Sequence, residues 1–516
     1  MALKVSKRGK NFLISNQPML YDSKPFILVS KKYLVCIISF LGIIALLILG
    51  ARLLGQSPFL VLTTLFLLVF IPLMGYSLMF SHRLAFMLLM IAFPFHSLVM
   101  RVIEVDLGIV GGVGTLISTW KEMVILILLS RLIFVSPKYF SSTDTLILSF
   151  VGFNFLYSIV PSDFAAGLYG FRGVIEPFLI YFLVRIVRFR HTDMQNLFRT
   201  LVIVGMLLGI FGVVQFIFLG SDFVMTYKAI AGELSNSHTT RVVGNFIFRS
   251  SATFTSPNHL GMYLAILLLV TLGVYVESNV KLKSIMIPLI FMGLGLFSSF
   301  SRSSWLAIVA GGAVVALLII LHRRVKRKLF IGSIISMVIA VPAVYYLGVF
   351  DYVVATLLLE EISAAGKIPS ILEGLNFMVS NPLGIGLGLA GPRSTRFGEL
   401  TVHSENFYII MGMETGYLGI LMYLLIIFSV IVKLMRIYYR LEDGFEKGLI
   451  LGCLAALIGT HTGVLFIPSL QELSVSTLLW LFVGISFQYD YLSRQELKKH
   501  QFKMGLMPRK TVAPNV

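Results

Sequence analysis

PFLVLTTLFLLVFIPLMGYSLMF, Pro58 to Phe80, contains no charged residue. At about 1.5 Å of rise per residue a helix of this length crosses the roughly 30 Å of hydrocarbon in a bilayer. Lipid offers the backbone no hydrogen-bond partners, so only helices or closed barrels can span it, and runs this long are helices. Comparable runs recur near 33–50, 84–100, 122–137, 144–160, 174–189, 200–219, 258–276, 285–300, 303–321, 329–349, 405–432, 448–467 and 473–489. The 516 residues are 57% hydrophobic and 13% charged, with a mean hydropathy of +0.91, which excludes a soluble globular protein. The expected fold is therefore an all-α polytopic membrane protein with about 12–14 transmembrane helices. The glycine-rich piece GIVGGVGTL within 107–119 is too short and flexible for a span and is expected to be extracytoplasmic or reentrant.

The net charge of +18 raises the question of nucleic acid, but in a polytopic chain lysine and arginine first mark the cytoplasmic side. With the N-terminus inside, most of the 42 basic residues fall in the cytoplasm: Lys4 to Lys32, Arg185 to Arg190, Lys281 and Lys283, His322 to Lys328, Lys433 to Lys447, and the tail from Arg494. Both ends are then cytoplasmic. A basic arm (1–32) is expected to precede a transmembrane catalytic domain (33–489), followed by a tail (490–516). Two long extracytoplasmic loops, about 220–257 and about 350–404, interrupt the spans, and long loops on a compact scaffold often carry function. The two cysteines, Cys36 and Cys453, lie inside apolar runs and can build neither a disulfide framework nor a zinc site. No P-loop, GxSxG or HExxH occurs, so no cofactor or metal is expected, and the acidic pair Glu104 and Asp106 reads as the solvated end of a helix.

Arginine dominates the basic residues expected outside: Arg52, Arg101, Arg172, Arg241, Arg249, Arg302, Arg393 and Arg396, against Lys121, Lys228 and Lys367. Its planar fork grips phosphate with two parallel hydrogen bonds, although an arginine at a helix end also snorkels to lipid headgroups. Arg302 sits in the short turn SFSRSSWLA, with Ser301, Ser303 and Ser304 able to cap the following helix. Arg249 precedes a Pro-Asn pair at the mouth of a span, where Asn258 can cap. Arg172 and Glu176 are four apart in LYGFRGVIEPFLIYF, the spacing of a local ion pair. In VHSENFYIIMGMETGYLGIL, His403 and Glu405 stand just ahead of an apolar run; an imidazole there suits a general base that Glu405 could orient, or equally a helix-start hydrogen bond. Glu414 and His461 are further titratable groups inside spans, without an evident role.

These segments, together with TFTSPNHLGMYLA, NPLGIGLGLAG, and the motif of His403, Asn406, Gly416 and Gly419, resemble the bacterial O-antigen ligase and O-antigen polymerase superfamily of lipid-linked glycan enzymes. They occur in the family's order and cover roughly Arg172 to Tyr423. The resemblance implies a GT-C-like enzyme in the bacterial cytoplasmic (inner) membrane, performing inverting, metal-independent glycosyl transfer at the outer leaflet. The donor would be a glycan on undecaprenyl diphosphate, with Arg172, Arg249 and Arg302 holding the diphosphate and His403 taking a proton from the acceptor hydroxyl. Lys367, Arg393, Arg396 and Asn406 are further candidates, and a chain-length regulator or a flippase are implied partners. The usual His-Asn pair reads His403-Ser-Glu-Asn406 here, and Asn406 keeps the family's spacing to Gly416, so Glu405 either shares the base's task or leaves it to His403. Lys367 stands where relatives commonly have arginine. A polymerase is the favoured reading, a ligase the alternative; a lipid-linked oligosaccharide transporter is the alternative from another class, although neither repeats nor mid-membrane charge pairs of the kind transporters use are evident in the sequence.

Overall fold

A computed structural model of the chain describes residues 57–132, 140–161, 163–187, 189–227, 239–242, 245–278, 280–321, 367–392, 394 and 404–503. The run that opens the sequence analysis forms α1 (Pro58–Phe80), entered as its residues dictate: the Ser57 side chain accepts from the Leu60 amide, and Pro58 takes the first position, where its missing N–H costs nothing. Helix α2 (His82–Asp106) carries a 3-10 turn at Phe93–Phe95, around Pro94. The glycine-rich segment, expected to be extracytoplasmic or reentrant, is partly helical. Only 107–110 forms the turn, and α3 (Gly111–Ser118) leads into α4 (Trp120–Leu132), so that Gly111–Arg131 reads as one candidate span. Gly108 and Gly111 take positive φ at that turn, and it is there that the glycines are needed.

The chain continues through α5 (Ser142–Tyr157), α6 (Phe164–Ile186) and α7 (His191–Leu219), the last turn of which is a π-helix from Gln215. Helix α8 (Gly220–Tyr227) and an antiparallel hairpin, β1 (Thr239–Val242) with β2 (Asn245–Phe248), occupy the first long loop. Then follow α9 (Pro257–Glu277), α10 (Leu282–Ser298), α11 (Arg302–Leu321), α12 (Lys367–Ser380), α13 (Phe407–Arg440), α14 (Phe445–Gly463) and α15 (Leu473–Lys503). Eight helical segments among the described residues are long and apolar enough to cross a membrane: α1, α2, α3 with α4, α6, α7, α9, α11 and α13. The molecule is an all-α polytopic membrane protein whose one small hairpin among the described residues lies outside the spans. The runs expected at 33–50 and 329–349 lie outside the described residues.

Small residues hold the centre. A Cβ on Gly452 of α14 would stand 2.5 Å from the Val270 Cα of α9, and one on Gly273 of α9 would stand 2.3 Å from the Gly452 nitrogen. On its other side α14 meets α11, where a Cβ on Gly459 would lie 2.3 Å from the Ala307 carbonyl. In lipid no hydrophobic force draws helices together, so backbone-to-backbone packing of this kind supplies the attraction. Helix α1, by contrast, exposes Leu68, Val69, Met79 and Phe80, the surface a lipid-facing helix presents.

The polar groups sort to two ends of the bundle. At one, Asp144 accepts from Tyr181 and Arg185, Asp490 pairs with Arg440 and Arg494, Arg83 lies 3.1 Å from Asp193, and Tyr438 donates to Glu277 at 2.7 Å. The other gathers the turn at 107–110, the loops at 249–256 and 299–301, the segment 381–392 and the turn at 464–472. Its first helices are tied by Asp106, which accepts from Ser57 at 3.0 Å and from Tyr227 at 3.1 Å; burial pushes the Tyr227 hydroxyl's pKa up, so it stays a donor.

Candidate functional site

Arg249 and Arg302 belong to two loops that touch. Ser250 donates its amide to the Ser298 carbonyl at 3.0 Å, and Arg249 donates Nε to the Ser299 carbonyl at 2.9 Å. From the other side the Gln215 side chain, placed by the π-turn of α7, accepts from the Ser250 hydroxyl and from the amides of Ser251 and Ala252. The non-glycine residues at positive φ among those described are Ala252 and Phe300, one in each loop. Such conformations cost about 1–3 kcal/mol each and persist where surrounding structure over-determines them.

Asn258 was expected to cap α9. Ser256 is the cap instead, its hydroxyl accepting from the Asn258 amide at 3.3 Å, because Pro257 claims the first helical position. Asn258 is thereby released to accept from Arg249 Nη2 at 2.6 Å. The serines ahead of α11 also depart from expectation: the Ser301 hydroxyl pairs with those of Ser303 and Ser304, and the helix starts on the Ser301 carbonyl. Arg302 is the first residue of α11, so the N-termini of α9 and α11, the positive ends of their dipoles, open at the same end as both arginines.

The NPLGIGLGLAG segment wedges between α6 and a break in α13. Gly384, Gly386, Gly388 and Gly391 all take positive φ, as does Gly416, where α13 kinks. Ile385 and Gly386 donate their amides to the Met413 and Glu414 carbonyls at 2.9 Å, and Tyr417 donates to the Pro382 carbonyl at 3.2 Å. Buried Glu414 has a role here: its carboxylate accepts from the Gly388 amide at 2.9 Å. On the α6 side a Cβ on Gly170 would stand 2.5 Å from the Gly388 nitrogen. The loop thus fixes the turn of α6 that carries Arg172.

Asn406 caps α13, accepting from the amides of Tyr408 and Ile409, and donates Nδ2 to the Leu465 carbonyl at 2.9 Å. Phe407 donates to the Val464 carbonyl, and the same end of α14 packs Gly463 against the Ser303 carbonyl, so the 404–407 segment reaches the Arg302 loop through α14. Glu405 is half-buried beside this cap. Lys367 is the first residue of α12. His403, Arg393 and Arg396 lie outside the described residues.

Arg172 is differently placed. Its Nη2 lies 2.6 Å from Glu122 and its Nε 3.9 Å from Glu176, so the ion pair read from spacing is the weaker of two. Buried Lys121 lies 3.1 Å from Glu122 and 3.3 Å from Glu176 and completes a four-charge cluster. Neither Lys121 nor Glu122 was singled out as its partner, since both come from another span. Arg172 lines a cavity of about 470 Å³ at this end, shared with Arg101, Glu104, Tyr169, Thr255 and Glu472. The acidic pair diverges, Glu104 binding Arg101 at 2.7 Å and Asp106 turning to Ser57 and Tyr227. Between α12, α13 and α14 runs an apolar groove of about 680 Å³, with Asn406 at its mouth. His461 lies along it, donating from Nδ1 to the Leu457 carbonyl at 2.8 Å and accepting at Nε2 from Tyr423 at 3.1 Å.

Residues 287–424 match the O-antigen ligase family. The likeness over this stretch supports the O-antigen ligase and polymerase superfamily. The match runs from α10 into α13 and takes in Arg302, the glycine-rich wedge, Glu405 and Asn406, with Arg172 and Arg249 ahead of it. No curated protein matches the chain significantly. Around the matched stretch, α6, α7 and α9 supply the surfaces that position Arg172 and Arg249.

Proposed function

We propose that the chain is a glycosyltransferase that polymerises oligosaccharide repeats of a surface polysaccharide. Its donor is a glycan on undecaprenyl diphosphate, joined at the outer leaflet of the inner membrane with both termini in the cytoplasm. The observation that carries the proposal is the interlocking of the loop that carries Arg249 with the turn that leads into Arg302, at the N-termini of two apolar helices, beside the Asn406 segment of the matched stretch. Guanidinium forks at the positive ends of two helix dipoles are a setting for a diphosphate at the membrane surface. The basic residues gathered at the opposite end support the orientation.

In the reaction an acceptor hydroxyl attacks the anomeric carbon from the face opposite the diphosphate. The new C–O bond forms as the bond to phosphate breaks, undecaprenyl diphosphate departs, and inversion results. Arg249 and Arg302 stabilise the charge that develops on the leaving group. Arg172, already bound to Glu122, assists from the cavity side. His403, oriented by Glu405, takes the proton; no step requires a metal. The apolar groove below Asn406 accommodates the isoprenoid tail, and a flippase and a chain-length regulator supply donor and limit product.

Purified protein incubated with the host's undecaprenyl-diphosphate oligosaccharide in EDTA tests this on a gel. A ladder from the wild type, absent from His403→Ala, is the expected result. A single shifted band that appears only with added lipid A core contradicts the polymerase in favour of a ligase. Silence with both acceptors, alongside passage of the lipid-linked glycan across vesicles, contradicts the enzyme in favour of a transporter.

A further inference from the structure

The turn between α14 and α15 touches both sides of the candidate site. At its start the Val464 carbonyl accepts from the Phe407 amide at 3.1 Å and the Leu465 carbonyl from Asn406 Nδ2 at 2.9 Å, so it holds the segment of Glu405 and Asn406. At its end Glu472 reaches the other way, to the start of α9. The carboxylate accepts from the Thr255 hydroxyl at 3.2 Å, and His259 Nδ1 stands 2.9 Å from that hydroxyl and 3.5 Å from the carboxylate. Thr255 directly precedes Ser256, the cap that leaves Asn258 to hold Arg249. The backbone of Glu472 is fixed in turn: its amide donates to the Ser469 carbonyl at 3.2 Å, and its carbonyl accepts from the Val475 and Ser476 amides at 3.1 Å. The 3-10 turn of α2 backs both partners. Its Phe93 carbonyl accepts from the Ser474 hydroxyl at 3.1 Å and its Pro94 carbonyl from the Thr253 hydroxyl at 2.6 Å.

The directions of these bonds follow from valence. An ionised carboxylate only accepts, so the Thr255 proton points to Glu472; the Thr255 oxygen then accepts, and His259 carries its proton on Nδ1 to reach it. The chain from His259 through Thr255 ends on a charged and mostly buried acceptor, the setting in which hydrogen bonds are strongest. We propose that Glu472 is a positioning residue: through Thr255 it sets the Arg249 loop against the segment of Glu405 and Asn406, so that leaving group and attacking hydroxyl line up. This rests on the glycosyl-transfer reading, and Glu472 acts through Thr255 rather than on substrate. A kinetic signature follows. Without Glu472 each side keeps its own local bonds, Arg249 to Ser299 and Asn258, Asn406 to the start of α13, so diphosphate binding survives while alignment does not. A misplacement of about 1 Å can cost about a hundredfold in rate.

The test uses full-length protein in nanodiscs and the variants Glu472→Ala, Glu472→Gln and Thr255→Val, the last nearly isosteric and informative even where Glu472→Ala fails to fold. Polymerisation kinetics, affinity for inorganic pyrophosphate and nitrogen-15 NMR of the His259 ring, assigned by difference with His259→Gln, are read on each. Glu472→Ala and Thr255→Val are expected to lower kcat about thirtyfold, with donor KM and pyrophosphate affinity within about twofold of wild type. The double variant Thr255→Val with Glu472→Ala should be no slower than either single one, since both cut the same link. Glu472→Gln, which keeps an oxygen acceptor and loses the charge, should recover part of the rate. The wild-type ring should carry its proton on Nδ1, a preference that Thr255→Val removes. Unchanged kcat in Thr255→Val and Glu472→Gln, additive losses in the double variant, pyrophosphate affinity that falls in step with turnover, or a wild-type ring protonated on Nε2 alone would overturn the proposal. The two readings fail distinguishably. A wild type that polymerises beside variants of equal kcat refutes the role of Glu472 alone, whereas a wild type that joins no glycan refutes the proposed function and this role with it.

Discussion

Arg249 commits Nε to a backbone carbonyl and Nη2 to Asn258, so its guanidinium plane is fixed before any substrate arrives. Removing the amide should loosen that plane. Asn258→Ala is expected to lower turnover about tenfold or more through misorientation, with donor-concentration dependence separating it from simple loss of binding; turnover equal to wild type would show that the contact positions nothing. Glycine allows an equally local test. Gly388 has φ of +79° and would place a Cβ 2.1 Å from the Ala166 carbonyl, so Gly388→Ala combines backbone strain of about 1–3 kcal/mol with a clash. Gly293→Ala, where a Cβ meets nothing within 4 Å, should be tolerated or slightly stabilising. Thermal unfolding of the two variants in the same detergent checks the contrast, and equal shifts would sink the wedge as a structural element.

Among the elements, α14 depends most on small residues. Gly452→Val should push α9 and α14 apart and sharply reduce folded yield, whereas Gly75→Ala in lipid-facing α1, where a Cβ meets nothing within 4 Å, should leave yield intact. Size-exclusion profiles decide between them, and a monodisperse Gly452→Val protein would contradict the packing described. Element boundaries were legible where short-range rules govern them: Pro58–Phe80 emerges with the bounds its apolar run has in the sequence, and Arg172 does approach Glu176 one turn away. The turn at 107–110 was legible in its glycines, but the helix Gly111–Ser118 that follows was not, since glycine content speaks of flexibility. Asn258 was misjudged by one step of capping geometry, decided by its proline neighbour.

For the whole molecule, the alternation of basic clusters along the sequence sets an expectation of which loops share a side. What spacing could not reveal are pairings across the fold. Lys121 finds Glu176 across 55 positions and Thr255 finds Glu472 across 217, distances at which helical periodicity carries no signal. The candidate diphosphate loops were visible as motifs, but the Gln215 anchor and the Lys121–Glu122–Arg172 cluster were not. Sidedness remains testable. In a background without Cys36 and Cys453, Ala165→Cys should react with an impermeant maleimide in intact spheroplasts, and Glu442→Cys only after permeabilisation; the reverse pattern would invert the molecule and remove the outer-leaflet site.

The most direct test of the central claim, that the interlocked loops grip the leaving diphosphate, is a single-turnover rate for Arg302→Lys with radiolabelled undecaprenyl-diphosphate oligosaccharide. Lysine keeps the charge and loses the fork, so the account predicts a rate lower by about a hundredfold at unchanged thermal stability. A rate within a factor of two of wild type would place the diphosphate elsewhere and contradict the account.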